Sequence, residues 1–324
     1  MAQDFGSGSV RLSAQNTSFT AQWQTTENLC DEEGRCINEA ALRLAAQRIQ
    51  QTGQATVIQI ETKRVKESAP LLFDLGTLQQ VCSKKWGIGA QQVLDIAQAL
   101  YETHKATSYP RTDCGYLPLS MMAEVPLVIN ALLTSDPTLK PLLAHCNLQQ
   151  QSRAWDDKKI TAHHGMIPTM QTTDISKMSD DEREVYDLIR RHYLAQFLPQ
   201  HEVDKTQVVL RCAEHSLLAS CKVVVATGWR MLFSRDDEDK DIQSLPVLAK
   251  NAICTVAGTE INALKTKPPE HYTEGTLIAA MKNAARFVTD ERLKQRLKES
   301  TGLGTEATRA GIIETLLKRG YIEK

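Results

Sequence analysis

A tyrosine and an arginine separated by one proline can address a single phosphodiester together, and the chain carries that arrangement in Thr107-Ser108-Tyr109-Pro110-Arg111-Thr112-Asp113. Proline holds its own φ at about −65° and steers the preceding residue out of the α region. In an extended segment, side chains at i and i+2 point the same way. Tyr109 and Arg111 can therefore face one phosphate, the phenol as nucleophile and the guanidinium as a fork on the non-bridging oxygens that offsets developing charge. The neighbouring pair His163-His164 does not read as a metal site, because adjacent side chains diverge and no third ligand has suitable spacing. The basic pairs Lys158-Lys159, Lys84-Lys85 and Arg190-Arg191 have the composition of solvated faces. Among them Lys158 and Lys159 are taken as nucleic-acid contacts.

These groups must be carried by more than one compact unit, since 324 residues with 42% hydrophobic content exceed a single small domain. A formal net charge of −1 excludes a generally basic coat, so nucleic-acid binding has to rely on local clusters. The eight cysteines form no CxxC pair and no disulfide-scaffold density, which points to reduced thiols in a cytoplasmic protein. No apolar run reaches the roughly 18 residues of a membrane span.

Residues 1–9, with Gly6-Ser7-Gly8-Ser9, read as a linker or tag. Residues 10–66 read as the first part of a β-rich domain with one helix: 18–23 alternates, 37–49 has helical apolar spacing, and 56–65 is strand-like. A helical domain is expected over 67–198. In it Thr77 and Gln80 form a capping-box pattern, and Leu78, Val81, Cys82 and Trp86 make one face. The next helix, over 91–104, buries Val93, Leu94, Ala97, Leu100 and Tyr101 and leads into Tyr109. Ser179 and Glu182 open a later helix with a second capping box.

From 199 to 266 strands return at 206–212, 217–225 and 253–264, with an acidic loop at 236–241; this is the second part of the β-rich domain, so the helical domain is an insertion. The final stretch, 267–324, reads as three helices followed by a strand-like Tyr321-Ile322, part of a helical base; its abrupt stop suggests a fragment.

Taken in order, the motifs Phe73-Asp74-Leu75 with Leu78-Gln79, Ala99-Leu100-Tyr101-Glu102, 108–118, Trp155-Asp156-Asp157-Lys158-Lys159, 162–169, Lys267-Pro268-Pro269 with Tyr272-Thr273-Glu274, and 302–313 resemble the type IA DNA topoisomerases, nearest the bacterial topoisomerase III branch. The resemblance implies an α+β, multidomain arch: a β-rich domain, an inserted helical domain, and part of a further helical domain. It implies that Tyr109 is the nucleophile that leaves a 5′-phosphotyrosyl link, Arg111 its phosphate-binding partner, His163 the histidine assisting beside the scissile phosphate, and Thr308 a contact to the DNA backbone.

The same resemblance implies strand passage and resealing, giving relaxation or decatenation without ATP, in a bacterial, nucleoid-associated setting. No part of the chain resembles the Toprim domain, which in that family supplies a glutamate and the acidic Mg²⁺ cluster. The chain is accordingly expected to bind no metal of its own, to act on single-stranded DNA with the Toprim half as partner, alongside DNA-processing proteins, and to bind DNA without cutting it when alone. Two other readings stand beside this one. A non-catalytic single-stranded DNA-binding or partner-docking module could retain the motif, whereas a conjugative relaxase needs a His-hydrophobe-His metal motif that His163-His164-Gly165 lacks.

Overall fold

A computed structural model describes residues 3–233, 243–300 and 302–323. The acidic loop expected at 236–241 lies outside the described residues. The chain divides into two compact units, one of Met1–Glu67, His201–Thr227 and Ser234–Glu270, the other of Ser68–Gln200, Gly228–Phe233 and His271–Lys324.

The first unit is a closed antiparallel barrel. Its strands are β1 (Asp4–Ala14), β2 (Thr17–Gln24), β3 (Gln54–Glu67), β4 (His201–Cys212), β5 (His215–Ala226) and β6 (Ile253–Lys265), in the order β1-β2-β5-β4-β3-β6. Gln15 and Asn16, both at positive φ (50° and 62°), make the two-residue turn whose twist suits the β1–β2 hairpin. Alternate residues point inward, so Val10, Leu12, Phe19, Ala21, Val57, Val208, Leu210, Leu217 and Ala219 fill the interior. Helix α1 (Glu39–Thr52) starts on the Asn38 cap, stops at Gly53 in the left-handed region, and buries Leu42, Ala45 and Ile49.

Gly6-Ser7-Gly8-Ser9 is not a linker: it lies within β1, paired with Ala263, Asn262, Ile261 and Glu260 of β6. A Cβ on Gly6 would stand 2.8 Å from Leu42 Cδ2, so the small residues that mimic a linker are what let α1 approach the strand.

The second unit is helical, with α2 (Leu75–Trp86), α3 (Ala90–Glu102), α4 (Val125–Ser135), α5 (Lys140–Leu143), α6 (Asp180–Leu194), α7 (Glu274–Lys282), α8 (Glu291–Glu299) and α9 (Arg309–Lys318). Phe73, Leu78, Val93, Leu100, Leu117, Val128, Met166, Ile189, Tyr193 and Phe197 share one core, joined by the buried Trp155. The Ser179–Glu182 capping box forms at the start of α6, with Ser179 N–H donating to Glu182 Oε2 at 2.8 Å and Glu182 N–H to Ser179 Oγ at 3.2 Å. The Thr77–Gln80 box does not form. Asp74 is the cap of α2, accepting from Thr77 N–H at 2.6 Å, which puts Thr77 inside the helix. Tyr321-Ile322 forms no strand; helix α9 ends in a turn instead. The segment from His271 onward packs within this unit: Ile278, Met281, Ala310 and Ile313 close a small cluster over Ala90 at the start of α3.

Candidate active site

The segment after α3 is irregular but held on both sides. Ser108 N–H donates to the Ile167 carbonyl at 2.8 Å, and Ser108 Oγ accepts from Ile167 N–H at 3.0 Å. Thr169 N–H donates to the Ala106 carbonyl at 3.0 Å, and Leu75 N–H to the Thr112 carbonyl at 3.0 Å. Between these anchors exposure alternates: Pro110, Thr112 and Cys114 are buried while Tyr109, Arg111 and Asp113 face outward. That alternation is the side-chain pattern of an extended run. Tyr109 is 37% exposed although it lies in a well-packed unit. Among the described residues the Arg111 guanidinium has neither hydrogen bond nor ion pair.

The loop bearing His163 is pressed against the same segment. Gly165 N–H donates to the Tyr116 carbonyl at 2.8 Å and Met166 N–H to the Phe73 carbonyl at 2.9 Å. A Cβ on Gly165 would stand 2.7 Å from Leu72 Cβ and 3.2 Å from the Gly115 carbonyl carbon, so only glycine permits this approach. The result is that the His163 ring lies 4.8 Å from the Tyr109 ring, tilted by 46°. His164 turns elsewhere, with Nδ1 at 2.8 Å from the Gly165 carbonyl.

Tyr101 corrects the expected helix face: it is exposed, and its ring stands edge-on to Tyr109 at 5.7 Å. Tyr109 is thus flanked by two aromatic side chains. The signal for Tyr101 was its place one residue past Leu100, on the flank of the stripe Val93, Leu94, Ala97 and Leu100.

Lys158 and Lys159 are exposed on a short turn, where Lys159 Nζ donates to Tyr116 Oη at 3.2 Å and sits 4.9 Å over that ring. The same turn uses its carboxylates locally, Asp156 accepting from Lys158 N–H at 3.0 Å and Asp157 from Leu119 N–H at 2.8 Å. Thr308 caps α9 and is exposed, its Oγ1 accepting from Thr305 N–H at 2.8 Å. The fold brings Tyr109, His163 and Tyr101 into contact and sets Arg111 on the same outward face, whereas the contacts of Thr308 stay within its own loop. Arg190 is no surface cation: it is half-buried between Asp136 and Asp187, each at 2.7 Å. Among the described residues no group of three or more His, Cys, Asp or Glu side chains could hold a metal ion, and no helix is long and apolar enough to cross a membrane.

A family model described as DNA topoisomerase matches residues 9–324, nearly the whole chain. The chain belongs to the type IA DNA topoisomerase family. It is 41% identical over 321 residues to DNA topoisomerase 3 of Pasteurella multocida, covering 97% of this chain and 49% of that protein. To DNA topoisomerase 3 of Salmonella typhimurium it is 43% identical over 313 residues, covering 94% of this chain and 48% of the relative. The chain therefore spans about half the length of the curated topoisomerases it matches. The solved structure of full-length topoisomerase I from Thermotoga maritima superposes with a TM-score of 0.70 over 100% of this chain and 48% of that one, at 21% identity, and so shares the fold.

Proposed function

We propose that this chain is the strand-gate portion of a topoisomerase that cleaves one DNA strand through Tyr109. The observation that carries the reading is the exposed Tyr109 phenol held between His163 and Tyr101, with the unpaired Arg111 one side-chain step along the same face.

In the reaction, Tyr109 Oη attacks the phosphorus of a backbone phosphodiester. The Oη–P bond forms, the P–O3′ bond breaks, and the leaving 3′ oxygen takes up a proton as the phenol gives one away. Arg111 grips the non-bridging oxygens, whose charge grows in the transition state. His163 supplies a hydrogen-bonding ring beside the same phosphate. The new phosphodiester retains the energy of the broken one, so the 3′ hydroxyl can reseal the strand without ATP. A phenol is almost wholly protonated at neutral pH, so the attack requires an acid–base partner and, in this family, Mg²⁺. The described residues do not form a site for that ion, and no step above passes through it. Lys158, Lys159 and Thr308 are assigned to the path of single-stranded DNA. Relaxation or decatenation belongs to the complete enzyme, and this chain alone binds single-stranded DNA without cutting it.

The test supplies the N-terminal half of a topoisomerase 3 relative in trans, with Mg²⁺ and a single-stranded oligonucleotide labelled at its 3′ end, on the fragment that stays attached to Tyr109. A covalent adduct with the wild type and none with Tyr109→Phe is expected. Absence of the wild-type adduct, or an undiminished one with phenylalanine, would falsify the assignment.

A further inference from the structure

Between Phe73 and Leu75 the chain makes three connections in three directions. The Phe73 carbonyl accepts from Met166 N–H at 2.9 Å, which fixes the loop carrying His163. Leu75 N–H donates to the Thr112 carbonyl at 3.0 Å, which fixes the segment carrying Tyr109 and Arg111. The residue between them, Asp74, turns to the other side: Oδ1 caps α2, and Oδ2 accepts from Lys282 Nζ at 3.1 Å.

Lys282 is itself embedded in a charge network at the end of α7. Its Nζ lies 3.3 Å from Glu306 Oε1, which Arg309 Nη1 contacts at 2.5 Å. Glu306 and Arg309 are buried, at 7% and 1% exposure, and the side chains of Asp74 and Lys282 are largely covered, so the pairs are poorly screened by solvent. Gly76 leaves the room for them, since a Cβ there would stand 2.6 Å from Glu306 Oε2 and 3.2 Å from Lys282 Cδ. The loop after residue 301 is joined to the same helix end. Leu303 N–H donates to the Met281 carbonyl at 2.9 Å, and a Cβ on Gly302 would stand 2.2 Å from that oxygen.

We propose that Lys282, through Asp74, is a positioning residue for the Tyr109 site, coupling the geometry of strand cleavage to the loop that carries Thr308. Lys282 touches neither the phenol nor its neighbours. It sets the register of the short segment from which both the Tyr109 run and the His163 loop are hung. A charge at this point is better suited to the task than an apolar contact, because it orients one carboxylate against two fixed partners. The inference rests on the reading of Tyr109 as the nucleophile, and its test separates the two.

Lys282→Met removes the charge at similar volume, Lys282→Arg retains it, and Asp74→Asn keeps the helix cap while losing the ion pair. In the trans assay at saturating oligonucleotide, Lys282→Met and Asp74→Asn are expected to slow adduct formation on the order of 10- to 100-fold. Their affinity for the oligonucleotide is expected to stay within about twofold, Lys282→Arg to recover most of the rate, and the double variant to be no slower than either single one. In the chain alone, exchange of the Leu75 and Met166 amide hydrogens is expected to accelerate roughly tenfold in Lys282→Met. A wild-type adduct rate in a folded Lys282→Met, a loss explained wholly by weaker DNA binding, or unchanged amide exchange overturns the proposal. Accelerated exchange in a system where the wild type forms no adduct sinks the Tyr109 reading and leaves the mechanical coupling standing.

Discussion

The Tyr109 side chain lies in the open because the residues on either side of it are spent on the core. Ser108 is hydrogen-bonded to the His163-bearing loop and Pro110 is buried. Alternation then leaves Arg111 outward with no partner among the described residues. Arg111→Ala is expected to weaken binding of a single-stranded oligonucleotide and to reduce the slope of log affinity against log salt by about 0.7, measured by fluorescence anisotropy at several salt concentrations. Equal affinity at every salt concentration would mean that the guanidinium grips no phosphate. Ser108→Ala removes the acceptor for the Ile167 N–H, a donor in a buried stretch, and is expected to cost about 1–3 kcal/mol in urea unfolding. The Tyr109–Arg111 relation was legible in the sequence because a proline between two side chains constrains only local geometry. The contact with Tyr101 was not, because it depends on how the chain turns back after α3.

At the scale of elements, caps and close approaches decide where the site stands. Asp74 rather than Thr77 starts α2, against the capping box read from the sequence, although both residue types cap well. What selects Asp74 is tertiary: its second carboxylate oxygen takes the Lys282 ammonium, a partner 208 residues away. Gly165 is a position of the opposite kind, chosen for what it lacks. Gly165→Ala is expected to destabilise the protein by about 1–3 kcal/mol and to slow adduct formation in the trans assay, because the His163 loop must lift from Leu72 and Gly115. Differential scanning calorimetry together with adduct kinetics checks both effects. The glycine and serine run of β1 carries the same lesson. Its composition is that of a linker, and only the approach of Leu42 shows why small residues are required there.

On the scale of the molecule, a buried imidazole links stability to pH. Burial lowers the pKa of His192 from 6.5 to about 4, the ring lying 3.9 Å from Phe73 with Nδ1 3.0 Å from the Leu71 carbonyl. The folded state therefore keeps this ring neutral where the unfolded chain already binds a proton, and the unfolded state is favoured increasingly as pH falls from about 6.5 towards 4. Stability of the helical unit is expected to drop by about 3 kcal/mol across that window from this group. Urea unfolding as a function of pH, with His192→Phe flattening the acid limb, checks it. Burial likewise raises the Cys82 thiol to about 12, which keeps it inert on the buried face of α2, and all eight cysteines are unpaired. Five of the six strands, the helices flanking the site and the shared outward face of Tyr109 and Arg111 could be read from the sequence, since periodicity, breakers and a three-residue spacing act over short range. Closure of the six strands into a barrel, the pairing of His163 with Tyr109 across 54 positions, and the Asp74–Lys282 bond were settled only by the tertiary structure. Those contacts join residues whose separation along the chain carries no local signal, and their partners are selected by packing and by the need of buried polar groups to be satisfied.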